Sequence, residues 1–535
     1  MRKQLFTICL CGLFAMPTYG AVELNLVRTN VTMPAGRTFQ MPLTASDSGG
    51  GPLKFSVSIK PKVLAATIAP ASNRSLVLNV SGVDSNNAPF AGDLVLQLYE
   101  DLTPRTTARI IDLVNSNFYN DLTFHRVITN FACQGGDPNG NGTGGSGIKF
   151  DDEFVAALTY TGFGQLAMAN AGHDSNDSQF FITDGDLSVG DPQKQSPWWL
   201  DFENPIFGQM TRGFDVLEKL MGTPVNPTNN APLTKFLIDS ATIITNSQDA
   251  VLRLAAPAGF TGTVAVTVSA MNASKQTAEQ TLTVNVVANT VNDPPFLGFI
   301  PASLTITQGQ VASFLLTTMD LENDQLTLDL QDTDTGAFPT NLTVSIGAGR
   351  LWFVPNQTTT GTVHLILGLT DLQLNHQDDT QRFSIIIDPR SATPTLNIVP
   401  KSGSITVVPN SQANRVNIAG TFAFTGQSDH TFTNGDIVVL TLGDQNNPLI
   451  LTNLPTDAGY SVKKGVVTLK SPKSTNTTVS AQFNSGKGTF KISVSNFHFP
   501  GPQSNPLQVG LSIGPDYGTD VRTWVEKKPG MFSPH

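Results

Sequence analysis

Residues 124–137 read Phe-His-Arg-Val-Ile-Thr-Asn-Phe-Ala-Cys-Gln-Gly-Gly-Asp. One arginine, Arg126, stands in a mostly apolar run and is followed by Phe131, then Gln134, then paired glycines. Its guanidinium stays charged at any physiological pH and offers rigid donors. By itself this pattern fits either a surface ion-pair residue or a group that meets a ligand, and Phe131 fits either core or binding surface. Cys133 lies in the apolar stretch Phe131-Ala132-Cys133, which reads as a buried structural thiol rather than a reactive one. The loop Gly135 to Gly147 is glycine-rich, yet it lacks the Gly-Lys-Ser/Thr ending and the strand-loop-helix setting of a phosphate cradle.

Outward from this run, Leu94 to Leu98 alternates apolar and polar as a strand does. Thr103-Pro104 then opens a helix, with Thr as N-cap and Pro at the first helical position, and Ala108, Ile111, Leu113 and Val114 give it an apolar face. A second helix is expected from Phe214 to Leu220. Five further blocks follow in order: Asn141-Gly142-Thr143-Gly144-Gly145, Met168-Ala169-Asn170-Ala171-Gly172, Ser178-Gln179-Phe180-Phe181-Ile182-Thr183, Trp199-Leu200-Asp201 and Ile206-Phe207-Gly208 complete the series begun at Phe124. Together they resemble the cyclophilin signature over residues 89–246.

The resemblance implies a mainly β fold: an eight-stranded antiparallel barrel with two capping helices. The substrate groove lies on its outer face and takes an extended peptide containing Xaa-Pro. It also implies peptidyl-prolyl cis-trans isomerase activity, which needs no nucleophile, metal or cofactor. Rotation about the amide bond is opposed by a barrier of about 18–20 kcal/mol, and proline's tertiary amide populates both isomers. A cation that donates to the amide nitrogen holds the twisted state better than either planar one. Arg126 matches the family's catalytic arginine, and Gln134 the catalytic-site glutamine beside it, which orients it and contacts the substrate backbone. Phe131, Phe181 and Leu200 match the apolar pocket for the proline ring. Asn170, with Ala169 and Ala171, matches the strand that bonds the peptide main chain. Gln179 and Gly142 match the rim of the adjoining pocket, and Trp199 the groove tryptophan associated with cyclosporin. His125 precedes the key arginine, but a reaction without obligatory proton transfer makes it a buried, hydrogen-bonded structural residue.

Two positions depart from the family pattern. Ala132 stands where Met is usual, and Asn204 where His is usual. Losing the Met side chain removes about 1–3 kcal/mol of substrate burial. Asn204 keeps hydrogen-bonding groups without an imidazole's bulk. The expectation is an altered grip with the rotation chemistry retained. Trp199 favours a cyclosporin-type ligand, while Ala132 and Asn204 count against one.

The surrounding chain repeats itself. Residues 31–58 align without a gap to 304–331: Gly36 matches Gly309, Asp47 matches Asp320, and Leu53, Phe55 and Val57 match Leu326, Leu328 and Leu330. The second copy runs on into 349–371, whereas its counterpart in the first copy comes only at 252–271. Residues 89–246 therefore read as an insertion in a split repeat, 21–88 plus 247–290. A second repeat, 291–390, follows Asn292-Asp293-Pro294-Pro295, and 391–535 reads as a further all-β region of unknown role. Strand and turn spacing suggest Ig-like or cadherin-like β-sandwiches. Asp320, Glu322 and Asp324, near Asp293, resemble acidic clusters that hold Ca²⁺ between cadherin-like repeats. The cluster is not repeated after Asp47, so a solvated turn with no metal is expected.

Composition agrees with strands and turns: 535 residues, 46 Gly, 34 Pro and only 14% charged residues, against about 25% charged in an ordinary soluble domain. The net charge of −10 argues against a nucleic-acid partner. Residues 1–20 read as a secretory signal: Arg2 and Lys3, an apolar Leu5 to Met16, and small residues before Ala21. Cys9 and Cys11 leave with it, so the mature chain keeps Cys133 alone. The expectation is an exported protein, periplasmic, cell-surface or secreted, without a membrane span. It would assist the folding of proline-containing clients. The other reading is a non-catalytic module that binds proline peptides in a surface adhesion or structural protein.

Overall fold

The computed structural model describes residues 21–184, 197–290, 292–307, 312–337, 339, 342–347, 349–355, 359–372, 379–389, 395–409, 411–425, 438–453, 459–471, 477–513 and 516–534. The expected signal, 1–20, and Gly309 lie outside them. The described chain falls into two compact units, one holding residues up to 299 with 318–329 and 367–381, the other holding 300–317, 330–366 and 382 onward.

In the first unit the chain runs β1 (Val22–Leu26), β2 (Asn30–Pro34), β3 (Thr38–Asp47), β4 (Lys54–Lys60), β5 (Ala65–Ile68), β6 (Ser75–Val83), β7 (Pro89–Leu98), α1 (Pro104–Asn115), β8 (Leu122–Thr123), β9 (Arg126–Ile128), β10 (Ala132–Gly135), β11 (Gln165–Met168), β12 (Phe180–Thr183), β13 (Ile206–Arg212), α2 (Phe214–Met221), β14 (Leu237–Ile244), β15 (Ala250–Ala255), β16 (Gly262–Met271) and β17 (Thr277–Val287). Two four-stranded sheets, β1-β3-β15-β5 and β2-β17-β16-β4, draw on chain from both sides of the central segment. Alternation decides what they bury: Val264, Val266 and Val268 of β16 and Leu282, Val284 and Val286 of β17 share one core with Met33, Leu43 and Leu252. β2 lies parallel to β17. In the second repeat copy, Ser303–Thr307 likewise runs parallel to residues 384–388.

Between these sheets' two halves sits a curled nine-stranded sheet, ordered β8-β14-β6-β7-β13-β11-β12-β10-β9. The expected eight-stranded barrel is met with one strand broken in two. Phe124 and His125, between β8 and β9, bond in turn to the carbonyls of Phe236 and Gln134, both at 3.0 Å. The chain thus crosses from one end of the sheet to the other and draws it shut. The sheet also begins earlier than residue 89, because β6 pairs with β7 along its whole length. The turn between them is held by the Asp84 carboxylate, which accepts from the backbone N–H of Asn86 and Ala88. β6 alternates like any sandwich strand, so nothing in its composition marks the boundary.

α1 buries Thr106, Thr107, Ile110, Ile111, Leu113 and Val114. Ala108, expected on that face, is exposed. Thr103 does not cap the helix through its side chain; its hydroxyl donates to the Tyr99 carbonyl at 3.1 Å. The Glu153 carboxylate takes the orphan donors instead, accepting from the N–H of Arg105 and Thr106 at 3.3 and 2.8 Å. α2 buries Val216, Leu217, Leu220 and Met221. Leu96, Leu98, Phe124, Cys133, Leu166, Phe207 and Met210 fill the barrel interior with the two helices, so only its outer face can hold a ligand. Among the described residues no helix is long and apolar enough to cross a membrane.

In the second unit, Ala312–Leu315, Arg350–Pro355 and Leu342–Gly347 form a three-stranded sheet. Strands expected at 436–442, 465–470 and 488–494 lie at Val438–Asp444, Val466–Lys470 and Thr489–Ser495. They belong to an eight-stranded and a four-stranded sheet that share one core around Val438, Phe483 and Trp524.

Candidate functional site

Strand register builds the site. Across β9 and β10, Arg126 stands opposite Gln134; across β10 and β12, Gln134 stands opposite Phe181. The two-residue period sends Val127, Cys133 and Ile182 inward, each at most 1% exposed, and turns Arg126, Gln134 and Phe181 to the outer face. Arg126 is exposed there. Its Nη1 donates to Gln134 Oε1 at 3.4 Å, Gln134 Nε2 donates to Gln179 Oε1 at 2.9 Å, and Gln179 Nε2 donates to the carbonyls of Gly142 and Gly144 at 3.1 and 2.7 Å. The relay fixes both amides so that an oxygen faces the guanidinium. Gly142 holds φ +90°, a left-handed conformation that leaves its carbonyl available to Gln179.

The loop carrying Gly142 spends its N–H groups on carboxylates. Asp137 accepts from Asn139, Asn141 and Gly142, and Asp177 from Ser146 and Gly147. Burial works against the charged Asp137, but these backbone donors hold its carboxyl below the usual range. His125 lies behind this loop. It is buried, as expected, but neither ring nitrogen has a hydrogen-bond partner, contrary to the sequence expectation. Burial, then Arg126 against the opposing pull of Asp137, lowers its pKa, so it stays neutral. A neutral imidazole beside the guanidinium adds no competing charge. Cys133 is fully buried, and desolvation pushes its thiol far up, so it is inert.

Next to Arg126 the outer face is apolar. Ala132, Phe181, Ala167, Leu158, Tyr160 and Ile206 form a buried cluster, with Phe131, Ala169 and Leu200 partly buried against it. Phe131 stacks on Trp199 at 6.0 Å and 18°, and Tyr160 stacks on Phe181 at 6.0 Å and 12°. Trp199 is half exposed. The expected pocket residues Phe131, Ala132, Phe181, Leu200 and Trp199 are therefore brought together with Arg126.

Asn170 and Asn204 behave differently from the other expected contacts. Asn204 Nδ2 donates to the Met168 carbonyl and to Asn170 Oδ1 at 3.0 and 3.1 Å, and its own carbonyl accepts from the Tyr160 hydroxyl at 2.9 Å. Asn170 Nδ2 donates to the Glu203 carbonyl at 2.9 Å. Both amides thus brace the backbone at Met168 and Glu203. Ala171 N–H is bonded to Ser175 Oγ at 2.9 Å. Close by, His173 sits among Asp152, Asp379 and Glu203 at 3.6, 3.7 and 3.8 Å. Asp152 first, then Asp379 and Glu203, raise its pKa against the effect of burial, so it carries a proton. Sequence reading missed His173, Tyr160 and the part played by Asp201, whose carboxylate accepts from the Tyr160 N–H. None of them has a periodicity or a spacing that marks it.

The acidic turn is solvated only in part: Asp320 is buried, whereas Glu322 and Asp324 are half-buried. Asp293, Asp320 and Asp371 are 1%, 8% and 2% exposed. Donor oxygens of Asp320, Asp324 and Asp371 lie within 4.8 Å of one another. Asparagine and backbone donors partly satisfy the group: Asn289 and Asp293 N–H donate to Glu322, and Asn292 donates to Asp371. Burial, followed by Asp293 and Asp320, pushes the Glu322 carboxyl up to about 7.

Residues 83–243 match the family model described as cyclophilin type peptidyl-prolyl cis-trans isomerase/CLD. Over 154 residues the chain is 40% identical to peptidyl-prolyl cis-trans isomerase cypE of Dictyostelium discoideum, covering 28% of this chain and 91% of that protein. Over 156 residues it is 38% identical to peptidyl-prolyl cis-trans isomerase-like 1 of Gibberella zeae, covering 29% and 90%. A crystal structure of a Cryptosporidium parvum cyclophilin type isomerase in the presence of the dipeptide Ala-Pro aligns at 31% identity and a TM-score of 0.28, covering 32% of this chain and 99% of that one.

Proposed function

We propose, on the premise that the chain belongs to the cyclophilin-type peptidyl-prolyl cis-trans isomerases through residues 83–243, that its groove rotates Xaa-Pro bonds of exported client proteins and assists their folding. The observation that carries this reading is an exposed Arg126, oriented by Gln134, beside the apolar patch of Phe131, Phe181 and Leu200. The patch holds the proline ring. The guanidinium then donates to the amide nitrogen as that nitrogen becomes pyramidal and regains its lone pair. Because the donor is already in place, its stabilisation falls on the twisted state rather than on either planar one. No group gains or loses a proton. Phe131 and Trp199, stacked face to face, form the open wall where a cyclosporin-type ligand would lie, with Ala132 offering it less contact than a methionine.

The place of action is the exterior of the cell, periplasm, surface or medium; the reading of residues 1–20 as a signal supports it. The alternative function is a non-catalytic proline-peptide module of a surface adhesion protein. It is favoured by Ala132, 5% exposed and without a long side chain to grip the ring. A protease-coupled assay on an Xaa-Pro peptide separates the two. Turnover that falls by about 10²–10³ in Arg126→Ala supports the enzyme; equal rates in wild type and variant reject it.

A further inference from the structure

The floor of the groove is not made by the isomerase segment alone. Ala69 and Val251, both contributed by the sandwich, are 3% and 0% exposed and belong to the same apolar cluster as Ala132, Tyr160 and Phe181. Strand β3 of the sandwich also bonds the segment that carries Tyr160. Thr38 and Thr159 share a hydroxyl hydrogen bond of 3.1 Å, Gln40 Nε2 donates to the Ala157 carbonyl at 2.8 Å, and Gln165 Nε2 donates to Gln40 Oε1 at 3.0 Å. Next to Thr38 in the chain stands a buried cation. Arg37, 2% exposed, leaves the turn between β2 and β3 directly after Gly36, whose φ of +80° suits glycine. The turn is held by Gly36 N–H to the Ala256 carbonyl and by Ala256 N–H to the Arg37 carbonyl, at 3.1 and 3.0 Å. Its guanidinium pairs with Asp201 and, at 2.7 Å, with Asp293.

Asp201 is the residue after Leu200, and it closes the short helical turn Trp198–Leu200 through its N–H to the Trp198 carbonyl at 3.0 Å. Its carboxylate also accepts from the Tyr160 N–H. A shift of Asp201 therefore moves Trp199 and Leu200 on one side of the pocket and the Tyr160 ring beneath Phe181 on the other. A side chain this buried and doubly paired has little freedom, and removing it leaves two desolvated carboxylates without their counter-charge. We propose that Arg37, a residue outside the isomerase segment, is a positioning residue for the proline pocket: by holding Asp201 it sets the spacing between the Phe131–Trp199 wall and the Phe181–Tyr160 floor. Arg37 touches no substrate. The host sandwich is thus part of the specificity apparatus of the groove.

This rests on the isomerase reading above, and the full chain tests both separately. Steady-state rotation of an Xaa-Pro peptide is measured for wild type, Arg37→Met, Arg37→Lys, Asp201→Asn and the double variant Arg37→Met/Asp201→Asn, below the melting temperature of each. Loss of pocket spacing is expected to raise KM by about fivefold to tenfold in Arg37→Met while kcat stays within about twofold, because ground-state grip is what fails. Asp201→Asn should show the same rise, the double variant no further rise, and Arg37→Lys a KM nearer wild type. A purely structural role would instead lower kcat through the active fraction and leave KM alone. KM unchanged in Arg37→Met, or increments that multiply in the double variant, overturn the proposal. If Arg37→Met does not fold, Asp201→Asn and Arg37→Lys decide it by the same criterion. A wild-type chain without turnover sinks the isomerase reading itself; wild-type turnover with an unaltered KM sinks only this one.

Discussion

The rim of the groove and the seam beneath its floor hold their charged groups in different ways. At the rim, Arg126 is exposed and its partner Gln134 is eight residues away in sequence. At the seam, Arg37 and Asp293 are 256 residues apart, and both are almost fully buried. An exposed cation can approach a substrate and be released by it, and its orientation needs only a neutral amide relay. A buried cation cannot take part in turnover, because unpairing it strands carboxylates in low dielectric. The rim is therefore suited to chemistry and the seam to holding geometry. A catalytic motif can therefore be short while the scaffold that sets its spacing is spread over the chain.

Phe181 belongs to both regions and gives the most severe test of their separation. It is 6% exposed, lines the outer face beside Arg126 and stacks on Tyr160 of the seam. Phe181→Ala should destabilise the first unit by about 3–5 kcal/mol, the usual range for a buried phenylalanine, and should weaken peptide affinity as well. Chemical denaturation with peptide titration checks both. A variant that loses affinity but keeps full stability would show that rim and floor are independent, and the comparison would break.

The seam should also betray itself through pH. Glu322 accepts from the Asp293 N–H, and Asp293 is the second partner of Arg37. Its carboxyl is raised from 4.5 to about 7 by burial and by Asp293 and Asp320. Between those values the folded chain keeps a proton that the unfolded chain has lost. Stability therefore falls as pH rises through that window, with the penalty complete above it. Thermal melts of the full chain in chelator, so that no cation takes the place of protons, should show the melting temperature declining from pH 4.5 to 7. Glu322→Gln should flatten the decline. An identical pH slope in wild type and variant would remove Glu322 from the seam's electrostatics.

What the sequence disclosed follows the same division. Arg126, Gln134, Phe131 and Phe181 were legible because they fall in short blocks of the cyclophilin signature, and the register of three short strands, β9, β10 and β12, sets them side by side. The two sandwich sheets were legible in the repeat between 31–58 and 304–331 and in its split continuation at 252–271. The start of the barrel at β6 was not, since a strand's pattern does not say which sheet it joins. Nor could the chain announce that Asn204 braces Met168, that Glu153 takes the place of a Thr103 cap, or that His125 lacks hydrogen-bond partners. Each of these depends on a neighbour brought from far away, and a lone polar residue in sequence carries no mark of its partner. The buried state of Asp320 and Asp371 was hidden for the same reason: acidic turns are ordinarily solvated, and only the fold shows otherwise.

The finest distinction between the regions lies in Gln134. If the rim works through orientation alone, the amide that faces Arg126 matters less than the charge it orients. Gln134→Leu keeps the volume, removes the bond to Nη1 and breaks the link to Gln179. The bond is donated by a charged guanidinium, but it is 3.4 Å long and exposed, so about 0.5–1.5 kcal/mol is expected of it and kcat/KM should fall by roughly two- to twelvefold, short of the loss in Arg126→Ala. The deficit should appear in kcat, since a wandering guanidinium still permits the proline ring to seat but less often meets the twisted nitrogen. Gln179→Leu, one bond further along the relay, should do less still. A Gln134→Leu loss as large as that of Arg126→Ala would mean that the amide itself contacts the reacting bond, and the rim would then hold two catalytic groups rather than one and its support.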